Sequence, residues 1–333
     1  MEMNSDYQQS GKGILRSNLH TLLCIIVVMV SIVSARDCIL TFRQMGKDFE
    51  DVYLGVSEEL GSDFDVKEVA INKKSDVSVI TEAMNAYHPK LVILMDNTTI
   101  ALYKKYQATL GPDAEIIPSV SLMGVMIKDA IADLKNAAGI SYEIPIVTSI
   151  VSLRAILGLP MKKVGVVNRE FLKDFLSQNR EFCKREGIEI VNESLPNKSD
   201  SYRMLLKKAL ENLVSKNIEA LWIPNDNALL HPELIKNVWL PFVKKYRIPV
   251  VVGVEVLVTP KINLGTFAVL PDHVALGTQA AEIVYDIMDN GWKVDKMRVD
   301  PPLAVYKIIN LLQAKKSFNV SDEKLKAVDK KLR

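Results

Sequence analysis

The chain has 333 residues, 42 Lys and Arg against 40 Asp and Glu, and a formal charge of +2. A near balance of charge argues against nucleic acid as the main partner, which would call for a basic stripe. The length suffices for two domains of ordinary size, and three cysteines (Cys24, Cys38 and Cys183) make no disulfide framework, leaving a Cys38–Cys183 pairing open.

The first 35 residues read as an export signal. Lys12 and Arg16 precede a short apolar run, Leu22–Val33, and a small-x-small exit at Val33-Ser34-Ala35. The run is shorter than the roughly 20 residues of a spanning helix, so cleavage after Ala35 is expected over a retained anchor. The protein is then periplasmic or otherwise extracytoplasmic, with tethering by an uncleaved segment as the alternative. The four histidines, His20, His88, His231 and His273, have no metal-ligand spacing, and neither a metal nor a cofactor is expected.

Beyond the signal the pattern alternates. Cys38–Phe42 reads as a strand, Asp48–Leu60 as a helix stopped by Gly61, and Val66–Ile71 as a strand. Val77, Ile80, Ala83, Met84 and Tyr87 recur at helical spacing, and Leu91–Met95 is a continuous apolar run, as in a strand buried on both faces. A helix to about Leu110 follows, then a short strand entering Ser119-Val120-Ser121. Ile127–Asn136 is amphipathic, and Val151–Leu157 is helical up to the stop at Gly158-Leu159-Pro160. The pattern restarts with strand Lys163–Val167 and helix Phe171–Arg185, whose core row is expected to be Phe171, Phe175 and Phe182. Strand Ile188–Val191, helix Tyr202–Asn217 and strand Ala220–Ile223 follow, with Trp222 in the core. A helix bent near Pro241 (Pro232–Tyr246), strands Pro249–Val254 and Gly265–Val269, a long helix His273–Asn290 and a late strand Ala304–Ile309 complete the chain. Such alternation implies parallel sheets with helices on both faces, and the restart near Lys163 implies two of them.

Two segments repeat. Lys73–Asn97 and Asn197–Asn227 each carry Lys-Ser-Asp, a helical stretch, an apolar strand and then Asp-Asn (Asp96-Asn97; Asp226-Asn227). A βαβ unit present twice predicts two similar lobes. In open α/β sheets ligands sit beyond the carboxyl ends of the strands, where both Asp-Asn pairs fall.

The second half also carries VGVVN (Val164–Asn168), EALWIPNDNALL (Glu219–Leu230), PVVVGVE (Pro249–Glu255) and LGTQAAEIVYDIMDNG (Leu276–Gly291). In order and spacing this resembles the substrate-binding proteins of ABC transporters, specifically the tryptophan/tyrosine-uptake type, best from Ile144 to Lys315. The resemblance implies a type I periplasmic-binding-protein fold: two Rossmann-like lobes joined by three crossovers, near Val151–Pro160, Leu270-Pro271 and Val294–Pro302. Lobe 1 would comprise residues 38–152 and 271–296, lobe 2 residues 153–270 and 297–320, with 321–333 a C-terminal tail. Residues Pro118–Gly124 depart from the aromatic or Thr-Asp-Pro-like turn usual in relatives, so aromatic specificity is not carried over.

The function so implied is capture of a small polar ligand, an amino acid or related zwitterion, by a monomer that delivers it to an ABC permease. The alternative is a ligand-sensing module for a separate receptor kinase. An enzyme on this fold has little support: the dinucleotide, P-loop, nucleophile-elbow and zinc-protease motifs are all missing from the sequence. Candidate ligand-binding residues lie at the strand ends. Asn97, Thr98 and Thr99 open a helix whose free amides favour an anion, or cap that helix themselves. Asp226 is expected to accept a ligand ammonium with Asn225 and Asn227 as neutral partners, so that its loss abolishes binding and leaves the fold intact. Glu255 needs a cation, from the ligand or from Arg43 or Arg169. Phe42, Gln44, Ser121 and Asn168 complete the set.

Overall fold

The computed structural model describes residues 36–318 and 320–333. The segment read as an export signal, including Cys24 and His20, lies outside the described residues. From Cys38 onward the elements in chain order are β1 (Cys38–Arg43), α1 (Lys47–Leu60), β2 (Asp65–Ala70), α2 (Val77–Tyr87), β3 (Leu91–Met95), α3 (Asn97–Thr109), β4 (Ser119–Leu122), α4 (Ile127–Ala130), β5 (Ala137–Ile140) and α5 (Ile146–Leu157). They continue with β6 (Lys163–Arg169), α6 (Lys173–Arg185), β7 (Glu189–Leu195), α7 (Tyr202–Ser215), β8 (Ala220–Ile223), α8 (Pro232–Leu234), α9 (Leu240–Tyr246), β9 (Val250–Val252), β10 (Phe267–Pro271), α10 (His273–Asp289), β11 (Arg298–Asp300), β12 (Val305–Asn310), α11 (Leu311–Phe318) and β13 (Lys330–Leu332).

Two sheets form, as the restart at Lys163 predicts. The first has six strands in the order β11-β5-β4-β3-β1-β2, all parallel. The second has seven in the order β13-β12-β10-β9-β8-β6-β7. The order β4-β3-β1-β2 in one recurs as β9-β8-β6-β7 in the other, so the sequence repeat is a repeat of topology. The second sheet is not wholly parallel: β12 runs antiparallel to β10, with Val305 beside Pro271. The cause is connectivity. The chain re-enters this sheet from the other lobe, at the end where β10 leaves it, and must run back down.

Apolar residues on both faces of each sheet are covered by helices. Helices α1 and α10 pack over one face of the first sheet through Val52, Val56, Leu276, Ala280 and Val284. Their backbones touch: a Cβ on Gly55 would lie 2.1 Å from the Val274 carbonyl oxygen, and one on Gly277 2.1 Å from that of Val52. Helices α2 and α3 cover the opposite face. On the second sheet, α5 and α6 lie on one side and α7 to α9 on the other.

Several boundaries differ from expectation. The lobes are joined at 141–145, at Asp272 and at 301–304. The first crossover thus precedes Val151–Pro160, because α5 buries Ile146, Ile150, Leu153 and Ile156 against the second sheet along its whole length. The third lies at the end of Val294–Pro302, because 298–300 first adds β11 to the edge of the first sheet. The C-terminal tail is structural: Leu325 and Val328 are buried and β13 pairs with β12. In α6 the buried row is Leu176, Asn179 and Cys183, while Phe182 is 44% exposed. A 3-10 turn at Glu170–Leu172 sets the phase of the helix, and only Phe175 of the predicted aromatic row reaches Trp222, stacking at 5.8 Å. The helix expected to bend near Pro241 contains a π-turn at Ile235–Trp239 just before that proline, which has no amide to donate back. Ile127–Asn136 is helical only to Ala130. Cys38 and Cys183 are both free thiols, the first in β1 and the second in the core of the other lobe.

Candidate functional site

The duplicated Asp-Asn corners are built alike. Asp96 follows β3 and caps α3, its Oδ1 accepting the Thr99 amide at 2.8 Å, while Gln44 at the end of β1 donates to its Oδ2. Asp226 follows β8 and accepts the Ala228 amide at 2.9 Å, while Arg169 at the end of β6 donates to both its oxygens at 2.7 and 2.8 Å. In each lobe a side chain at the end of the first strand holds the aspartate at the end of the third. The carboxylates are buried and bonded inside the protein, and Asp226, expected to meet a ligand ammonium, meets Arg169 here.

Several other predicted residues are also engaged within their own lobes. Phe42 is fully buried among Leu40, Ile71 and Tyr103. Asn97 bridges to the Val125 backbone in both directions, at 2.9 and 2.7 Å. The Thr99 hydroxyl donates to the Asp96 carbonyl. Ser121 is buried inside β4 rather than in a loop, its hydroxyl without a partner. Asn168 is buried, donating to the Arg169 carbonyl and accepting from Asn192. Thr98 is half-buried at the start of α3 and Asn227 is exposed. Glu255 pairs with Lys330 of β13 at 2.6 Å, a partner the sequence reading did not foresee; Arg43 pairs instead with Glu68. Of the predicted set, Asn225 and Glu255 lie on the walls of the spaces between the lobes.

Two such spaces open among the described residues. A cleft of about 600 Å³ is lined by Lys47, Asp48 and Asp51 of α1, by Val254–Val256 after β9, and by the second crossover. Deeper in, a cavity of about 20 Å³ is bounded by Val125 after β4, by Tyr142, Glu143 and Ile144 of the first crossover, and by Trp222, Asn225 and Gly253 of the second lobe. Loops after β1, β4, β8 and β9 therefore converge, which is where a doubly wound sheet places a ligand. Tyr142 lines both spaces. Trp222, 7% exposed, serves at once as core and as cavity wall.

The crossovers bond to each other. Asp272 donates its amide to the Ala304 carbonyl at 3.1 Å, Ser141 to Asp300 at 2.9 Å, and Gln279 of α10 bonds Pro301 and Leu303. The Tyr142 hydroxyl lies 3.0 Å from His273 Nε2, and Asp48 lies 3.6 Å from Nδ1 of the same ring. Burial lowers the His273 pKa from its ordinary value, against the pull of Asp48, Asp51 and Asp272. Glu143 accepts the Met126 amide at 2.8 Å; burial raises its pKa. Sequence reasoning missed Glu143, Tyr142 and His273. A signal existed for the first: Glu143 is the sole charged residue between Lys135 and Arg154.

No family model matches the chain, and no curated protein resembles it significantly in sequence. Solved structures do share its fold. A ligand-free, open substrate-binding protein with adhesive properties from Clostridium difficile superposes with a TM-score of 0.63 at 15% identity, covering 90% of this chain and 100% of that one. An ABC domain in complex with L-Trp from Streptococcus pneumoniae gives 0.55 at 15% identity, over 89% and 100%. A leucine-binding protein from Thermotoga maritima gives 0.50 at 11% identity, over 78% and 84%. The chain has the type I periplasmic-binding-protein fold of ABC-transporter substrate-binding proteins.

Proposed function

We propose that this protein captures a small polar solute between its lobes, outside the cytoplasm, and delivers it to a membrane permease of the ABC type. The observation that carries this reading is the convergence of strand-end loops from both sheets on one cleft of about 600 Å³, across three short crossovers. Such a site is completed only when the lobes meet, so ligand contacts on both sides favour the closed state. The solved structures above support it: one is described as a substrate-binding protein, one holds L-Trp, one is named for leucine. An amino acid or related zwitterion is the class of solute we favour. Among the described residues no helix is long and apolar enough to cross a membrane.

The test is a thermal-shift screen with free amino acids, sugars and small carboxylates. A ligand that binds only the folded state raises the melting temperature, by an amount that grows with its concentration above Kd. One solute family is expected to give a dose-dependent rise. A flat response across all families, at millimolar concentrations, would remove the solute-binding reading.

A further inference from the structure

We infer that Glu143 recognises a positive charge on the solute: the ligand is a small ammonium-bearing molecule whose cationic head fills the inner cavity between Glu143 and Asn225 and whose body extends along Tyr142 into the larger cleft. This rests on the solute-binding reading above and names its ligand class.

The inner cavity is short of donors. Glu143 accepts the Met126 amide at 2.8 Å and also draws on the backbone amides of Tyr142 and of its own residue, all neutral donors, and no cation among the described residues pairs with it. The charge that acts on it is that of Asp129, of the same sign. Asn225 presents a buried Oδ1 with no donor, while its amide nitrogen lies 3.5 Å from the Gly253 carbonyl. Gly253 is what admits that side chain, since a Cβ there would lie 2.6 Å from Oδ1. No Lys, Arg or His lines the space. A part-buried carboxylate with no cation beside it and a buried amide oxygen left without a donor are each costly. An ammonium satisfies both at once, with three donors and a compensating charge. A sugar hydroxyl would serve Asn225 and leave the charge of Glu143 uncompensated; a carboxylate would add repulsion.

Size agrees. The cavity holds about 20 Å³, roughly the space of one water or one ammonium group, and aromatic carbon from Tyr142 and Trp222 borders it, an environment that favours cations over anions. The bulk of a ligand has room only in the cleft of about 600 Å³, which shares the Tyr142 wall.

The test compares L-amino acids with their matched 2-hydroxy acids, in which a hydroxyl replaces the ammonium, alongside neutral sugars and simple carboxylates, by thermal shift and calorimetric titration of the full chain. The strongest binder is expected to carry an ammonium, and its hydroxy analogue to bind about 10- to 100-fold more weakly. Glu143→Gln keeps the acceptor for Met126 and removes the charge. It is expected to weaken the ammonium compound about 10- to 100-fold while leaving the unliganded melting temperature unchanged or higher. Asn225→Leu should weaken the same compound several-fold. Undiminished binding to Glu143→Gln overturns the assignment. So does an unliganded Glu143→Gln that melts several degrees lower, which would mark the carboxylate as structural support. A sugar or simple carboxylate as strongest binder leaves solute capture standing and removes Glu143 as its cation partner; no binder at all removes both.

Discussion

Asp226 and Arg169 show how a residue that reads as a ligand contact becomes part of the frame. The Asp226 side chain is fully buried and that of Arg169 is 20% exposed, with two parallel hydrogen bonds between them. Removing one partner of such a pair strands the other charge. Asp226→Ala is expected to cost about 3 kcal/mol of stability, read as a lower urea midpoint, and not a selective loss of binding. The aspartates were legible as strand-end residues, but nothing in the sequence says that Gln44 and Arg169 reach across to them. His273 gives a pH prediction. Its folded pKa lies below the ordinary 6.5 because the ring is buried, so below pH 6.5 the unfolded chain takes up the proton more readily. Stability is full above that pH and falls as the pH drops toward the folded value. His273→Gln is expected to reduce that loss, measured as unfolding free energy by urea titration on either side of pH 6.5.

At the scale of elements, the close crossing of α1 and α10 depends on Gly55 and Gly277. Each Cβ would meet a backbone oxygen at 2.1 Å, which no rotamer relieves. Gly277→Ala forces the helices apart and is expected to cost about 1–3 kcal/mol, as overpacking does, in denaturant unfolding. The LGTQAA motif thus has a packing explanation: Gly277 sets the crossing, Gln279 holds the third crossover, Ala280 and Ala281 are core. Strand β13 matters for a different reason. It covers the edge of β12 and carries Lys330 to Glu255 at the rim of the cleft. Removing residues 330–333 is expected to leave β12 with an unpaired edge, visible as faster amide exchange in 305–310.

For the whole molecule, the crossovers are short and mutually bonded, and the proposed solute capture would close the lobes about them as a hinge. A bound solute is expected to reduce the radius of gyration in X-ray scattering, and the Tyr142–His273 contact joins the first crossover to the residue after the second. A scattering curve that does not change with a bound ligand would argue for a rigid cleft.

Local pattern alone carries the alternation of strands and helices, because a period near 2 or 3.6 and a Gly or Pro stop are properties of a few neighbouring residues. The doubled βαβ unit and the restart at Lys163 were enough to predict two lobes, and β3, with all five residues buried, reads directly as Leu91–Met95. Tertiary structure decided the rest. The phase of α6 was set by the 3-10 turn before it, the ownership of α5 and β11 by the face or edge available to them, and the direction of β12 by where the chain re-enters its sheet. The site followed the same division. Which polar groups are used up inside a lobe, and which remain facing the space between lobes, depends on residues far apart in sequence meeting at hydrogen-bond distance. That condition gives Asp226 a partner inside its own lobe and leaves Glu143, which no repeat or motif marks, facing the space between the lobes.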